Sequence, residues 1–194
     1  MLELWERSAD AEHLGNSLEH ACRALCNTDT PTEQVLERMS SLWDQRVELV
    51  EIGAIAPEAL MGFHFLVKSG AFDRQWWAPR LKTWCKLNPQ PRDLSLIGDE
   101  VVELAKHDPM SALSALSDCA SKALEDNNAG PWLFSDVAAP ILYEANNLQD
   151  HDANLLWEKC MDDLAQLGLV SLDDQIAERS KRLIGDDSWT APRW

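Results

Sequence analysis

Basic residues are scarce in this sequence: 17 lysines and arginines stand against 33 aspartates and glutamates, a formal charge of −16. A field of that sign repels a nucleic-acid backbone and an anionic lipid surface alike, so direct DNA or RNA binding is disfavoured. A basic protein partner is the sign-consistent expectation, although solubility alone accounts for the excess of carboxylates as well. Long apolar runs are also missing. The nearest approach, Ala54 to Val67, is broken by Pro57, Glu58 and His64, short of the ~18 residues a membrane span needs. The opening Met-Leu-Glu-Leu-Trp-Glu has neither the basic nor the apolar region of a secretory signal. A cytoplasmic product without membrane attachment is therefore expected.

Other absences bear on chemistry. Gly62, Gly70 and Gly98 are isolated, and none leads into the Gly-Lys-Ser/Thr ending that cradles phosphate. No Gly-x-Ser-x-Gly occurs, and no cysteine sits in a Gly-rich turn. The five cysteines (Cys22, Cys26, Cys85, Cys119, Cys160) are odd in number and scattered, which argues against a disulfide scaffold. A zinc site from His13, His20, Cys22 and Cys26 fails on geometry. On a helix only His13 with His20, or Cys22 with Cys26, share a face, and no second Cys pair completes four ligands.

His107-Asp108 and His151-Asp152 invite a metal-phosphohydrolase reading. Asp108, however, directly precedes Pro109 and reads better as a helix N-cap, its carboxylate accepting orphan N–H groups. His151 and Asp152 fall in the first turn of a helix, where an acid favours the dipole. The pairs Asp99-Glu100, Asp162-Asp163 and Asp173-Asp174 are adjacent, and neighbours on a helix point about 100° apart, as on a solvated face. The sequence thus offers no catalytic residue, no cofactor site and no metal site.

Helical periodicity, by contrast, is abundant. One helix is expected from about Leu2 to Cys26, carrying Leu4, Ala11, Leu14, Leu18, Ala21 and Leu25. Thr30-Pro31-Thr32-Glu33 supplies an N-cap, a proline at the first helical position and a capping-box acid. The helix it opens carries Val35, Leu36, Met39, Leu42, Trp43, Val47 and Val50 on a stripe and ends at Gly53. Further helices are expected from Pro57 to Gly70, from Asp73 to about Asn88, and from Pro91/Asp93 to His107. Others run from Asp108 to about Asp126, from Pro131 to about Leu148, from Asp150 to Gly168, and from Ser171 to Gly185.

The starts at Pro57, Leu94 and Pro131 are 37 residues apart, with partner helices opening near Asp73, Asp108 and Asp150. This predicts an all-α fold of stacked antiparallel helix pairs, a HEAT-like α-α superhelix of eight or nine helices. Residues 1–185 form one domain in this reading: two longer helices over 1–53, then three pairs and a terminal helix over 54–185. Residues 186–194 are expected to be a loose tail holding Trp189 and Trp194. Trp5, Trp43, Trp76, Trp77, Trp84, Trp132 and Trp157 fall within helical patterns, where large rings fill gaps between helices.

One surface feature stands out. Phe72-Asp73-Arg74-Gln75-Trp76-Trp77-Ala78-Pro79 gathers three aromatics and a proline at a helix start. Neighbouring rings on a helix cannot both face the core, so one of Trp76 and Trp77 is available as an interface anchor. Phe72, Arg74, Trp76 and Trp77 are the candidate protein-binding residues. The plainer reading is that these rings staple two helix pairs together.

The stretches Leu42-Trp43-Asp44-Gln45-Arg46, Ser69-Gly70-Ala71-Phe72-Asp73-Arg74-Gln75-Trp76, Leu104-Ala105-Lys106-His107-Asp108-Pro109 and Trp157 to Gly168 carry a family resemblance. Over residues 40–180 the chain resembles the C-terminal helical-repeat region of large bacterial ATP-binding proteins of the STAND, defence-NTPase kind. The resemblance implies a sensor or scaffold region, as part of a longer chain or as a free-standing relative, and carries over no functional residue. A non-catalytic protein-interaction module is the expected function. The alternative is a small acidic inhibitor, of the immunity-protein type, that plugs a basic toxin.

Overall fold

The computed structural model describes residues 20, 32–60, 62–87, 91–125, 130–148 and 150–187. Apart from His20, the helix expected over Leu2 to Cys26 lies outside them, as do the Thr30-Pro31 start, Trp189 and Trp194. Among the described residues the fold is all-α, with nine α-helices and no strand. None of these helices is long and apolar enough to cross a membrane. The chain divides into two compact units, Met1–Glu100 and Val101–Trp194.

In the first unit, α1 (Glu33–Glu51) is followed by a 3-10 turn (Pro57–Leu60), α2 (Phe63–Lys68), α3 (Arg74–Leu87), α4 (Pro91–Leu96) and the start of α5 (Gly98–Ala105). The N-cap of α1 is Thr32, in extended conformation, two residues later than the expected Thr30. Its backbone carbonyl accepts from Val35 and Leu36 N–H, while its hydroxyl makes no cap bond. Met39, Trp43, Arg46 and Val50 are its buried face, at intervals of four, three and four that keep one stripe inward. Burial lowers the Arg46 guanidinium to about 10, so it remains a cation at neutral pH.

The helix expected over Pro57 to Gly70 is two pieces joined through Gly62, which has φ +86°. Gly70 (φ +66°) then turns the chain into the Ala71–Asp73 corner with open space where a side chain would stand. Its left-handed backbone is what requires glycine there. The core is aromatic. Trp43 lies 5.0 Å from Phe63, and Phe63 stacks at 5.5 Å on Trp84. Around them Leu60, Leu66, Leu81, Leu94 and Ile97 are buried.

The second unit contains α6 (Pro109–Glu125), a 3-10 turn (Pro131–Leu133), α7 (Ala138–Ala145), α8 (His151–Gln166) and α9 (Leu172–Asp187). Its centre is α6, whose Ala112, Leu113, Ala115, Leu116, Cys119, Ala120 and Ala123 are buried. Small side chains on that face allow α8 to pack most extensively against it, while α7 packs on both α6 and α9. Trp157 Nε1 on α8 donates to the Leu142 carbonyl of α7 at 3.0 Å.

Several boundaries shift from expectation. The helix proposed over Pro91 to His107 is α4 and α5, and that over Pro131 to Leu148 begins as a 3-10 turn and becomes α-helical only at Ala138. Ser171 has φ +71°, unlike the extended backbone of an N-cap. The last helix continues through Gly185 to Asp187, into the segment expected to be tail. Trp132, expected to fill an interhelical gap, is 68% exposed. Its ring lies over Gly130, where a Cβ would meet it at 2.7 Å.

The two central tryptophans make a test of this core. Trp84 Nε1 donates to the buried Leu60 carbonyl at 3.0 Å, whereas Trp43 Nε1 is buried with no hydrogen-bond partner among the described residues. Trp84→Phe therefore orphans an acceptor, and Trp43→Phe removes an orphaned donor. In urea denaturation Trp84→Phe is expected to cost about 1 kcal/mol or more beyond Trp43→Phe. Equal losses would contradict this reading.

Candidate functional site: an acidic groove beside the first helix

The site lies wholly in the first unit. One wall is α1, contributing Leu36, Glu37, Ser40, Ser41, Asp44, Gln45 and Glu48; the other is the corner Ala71, Phe72 and Asp73 with Trp76. Between them runs an open groove of about 910 Å³. The local sequence dictates both walls. Burial of Met39, Trp43 and Val50 turns positions 37, 41, 45 and 48 outward, where all four are exposed. On the corner, Asp73 Oδ1 accepts the Trp76 N–H at 2.9 Å and starts α3, so its carboxylate is engaged as a cap.

The wall-to-wall contact is made by Arg80 and Trp76. Trp76 Nε1 donates to Ser40 Oγ at 2.7 Å. Arg80 Nε donates to Asp44 Oδ1 at 2.9 Å and its Nη2 to Asp44 Oδ2 at 2.6 Å, the bidentate pairing that guanidinium geometry favours. Its Nη1 donates to the Trp76 carbonyl at 2.9 Å, and its Cζ lies 4.3 Å from the Trp76 ring centroid. Phe72 stacks on Trp76 with centroids 4.0 Å apart. The Asp44 charge is thereby compensated. Glu37 and Glu48 are exposed and among the described residues have no ion-pair partner.

Of the four candidate interface residues, the structure brings Phe72 and Trp76 to the groove. Phe72 is 7% exposed and contributes to the floor, while Trp76 is half-buried. Trp77, one step of about 100° further round the helix, is 5% exposed and belongs to the core. Arg74 is half-buried at the first position of α3 and is not in the lining. The α1 wall and Arg80 escaped the sequence reading. Their contacts to the corner span 36 to 40 positions; only the four-residue spacings Ser40/Asp44 and Trp76/Arg80, each along one helix face, hint at them.

The residues tested for chemistry sit elsewhere. Asp108 Oδ1 accepts the Ser111 N–H at 3.1 Å, a cap on α6. Exposed His107 lies 3.4 Å from Glu103, whose carboxyl is held below its usual range chiefly by the Lys106 hydrogen bond. Asp150 Oδ1 accepts the Asp152 N–H at 3.2 Å, and exposed His151 begins α8. Among the described residues no group of three or more His, Cys, Asp or Glu is placed to hold a metal ion.

A Ser–Lys arrangement does exist between α6 and α8. Lys159 Nζ reaches Ser121 Oγ at 2.5 Å, Asp163 Oδ2 at 2.9 Å and Ser117 Oγ at 3.4 Å. Ser121 Oγ also donates to Asp163 at 2.7 Å. These contacts run between α6 and α8, so the cluster ties two helices together. Cys85, Cys119 and Cys160 are buried and lie outside any disulfide, and burial raises Cys160 to about 12. With Cys22 and Cys26 changed to Ser, native protein is expected to leave all three thiols unmodified by an aromatic disulfide reagent near pH 8, and unfolded protein to expose them. Rapid native labelling of any one would contradict this burial.

Comparison with protein-family models, with curated proteins and with solved structures gives no match.

Proposed function

We propose that this chain is a non-catalytic helical interaction module that holds a partner protein in the groove between α1 and the Phe72–Trp76 corner. The observation that carries the reading is the composition of that groove. An aromatic floor of Phe72 and Trp76 is flanked by Glu37, Asp44, Glu48 and Asp73, the combination of a desolvated anchor site and a charged rim that interfaces use. In the second unit, the packing of α6 on α8 and of α7 on α9 supports stacked helix pairs of the HEAT-like kind. Buried cysteines outside any disulfide at positions 85, 119 and 160 suit a reducing, cytoplasmic setting.

Ser41 is exposed on the α1 wall, so Ser41→Trp fills the groove with little cost to the fold. Affinity capture with this variant is expected to recover the partner at least tenfold less than the parent protein does, a loss of about 1.4 kcal/mol. Glu158→Arg, on an exposed position of α8, is expected to leave recovery unchanged. Undiminished capture by Ser41→Trp, with the helical circular dichroism intact, contradicts the groove as the binding site.

A further inference from the structure

Resting on that reading, we infer that the groove's occupant is a basic amphipathic helix of the partner protein, laid along α1. The geometry of the uncompensated charges points to it. Asp44 is paired with Arg80 and Asp73, itself exposed, caps α3, which leaves Glu37 and Glu48 as the lining carboxylates with no polar partner among the described residues. They stand at the two ends of the α1 wall, eleven residues apart, a rise of about 16 Å. Between them the lining is Ser40, Ser41, Asp44 and Gln45, faced by Phe72 and Trp76. A ligand complementary to this surface is cationic at both ends and apolar in the middle.

Spacing then selects its conformation. In an α-helix two residues eleven apart lie about 16 Å apart and within about 20° of the same face, so one helix meets both glutamates with one side. An extended segment covers that length in about five residues, and residues five apart on a strand point to opposite faces. In the antiparallel orientation, which opposes the helix dipoles, a basic residue at position 1 of the ligand meets Glu48 and one at position 12 meets Glu37. Positions 5 and 8 share that face and lie over residues 44 and 41, toward the aromatic corner. One apolar face seated in a groove is a familiar mode of peptide recognition.

The test is fluorescence anisotropy with a fluorescein-labelled alanine–glutamine helix carrying Lys at positions 1 and 12 and Leu at 5 and 8, at about 50 mM salt. Binding is expected to weaken at least tenfold in Glu37→Lys/Glu48→Lys protein and to be unchanged in Asp173→Lys/Asp174→Lys, exposed on α9. A peptide with its leucines moved to positions 3 and 10 is expected to bind at least tenfold more weakly. Absence of saturable binding up to about 1 mM overturns the inference. So does equal weakening by the α9 variant, which would mean attraction by net charge alone. A peptide broken by a central proline that binds as tightly rejects the helical occupant, while Ser41→Trp capture independently reports whether the groove itself is used. If the parent protein is a dimer that Glu37→Lys/Glu48→Lys converts to monomer in light scattering, the occupant is a second copy of this chain and the inference fails.

Discussion

The groove depends on one side chain. Arg80 pairs bidentately with Asp44, lies over the Trp76 ring and reaches the Trp76 carbonyl, so one guanidinium fixes α3 against the middle of α1. The planar fork makes this possible, because a lysine offers a point charge without the paired donors or the stacking face. With Trp76 drawn onto Ser40 and Phe72 stacked behind it, an aromatic floor is held beside an acidic helix. Without that tie the corner at Ala71–Asp73 is attached to α1 by few other polar contacts among the described residues. The same tie compensates one carboxylate of the wall and leaves those at its two ends.

The core and the candidate groove lie on opposite sides of the same helices. The inward stripe of α1 supplies Met39, Trp43 and Val50 to the core, and the outward stripe supplies the wall of the groove. In α3 the adjacent residues Trp76 and Trp77 split in the same way, one to the groove and one to the core. This division lets carboxylates accumulate on the outer face, while the inward stripe carries one buried cation, Arg46. In the second unit the polar contacts of Lys159 with Ser117, Ser121 and Asp163 are likewise made where two helices meet, and serve packing.

Much of this was legible in the residues, because the relevant forces are local. The caps at Asp73, Asp108 and Asp150 announce helix starts, since a carboxylate next to orphan N–H groups needs no distant partner. Met39, Trp43 and Val50 of the α1 stripe similarly follow from periodicity, whereas buried Arg46 does not. Errors arose where the outcome depends on tertiary neighbours or on backbone strain. Gly62 breaks a segment that reads as one helix, and Ser171 takes a left-handed conformation at a place that reads as a cap. Trp132 stands exposed although its pattern resembles that of the buried tryptophans. One half of the candidate groove's lining includes Phe72 and Trp76, which the sequence singles out. The other half, on α1, is joined to them by contacts with no local signature.

The most direct measurement is a double-mutant cycle on Asp44→Ala and Arg80→Met, read by urea denaturation. Because both side chains retain some exposure, solvent screening limits the pair to a coupling of about 1 kcal/mol, partly lost at high salt. That result is what a guanidinium holding the two walls of the groove predicts. Additive losses, with coupling indistinguishable from zero at low and high salt alike, would mean that Arg80 does not organise the site.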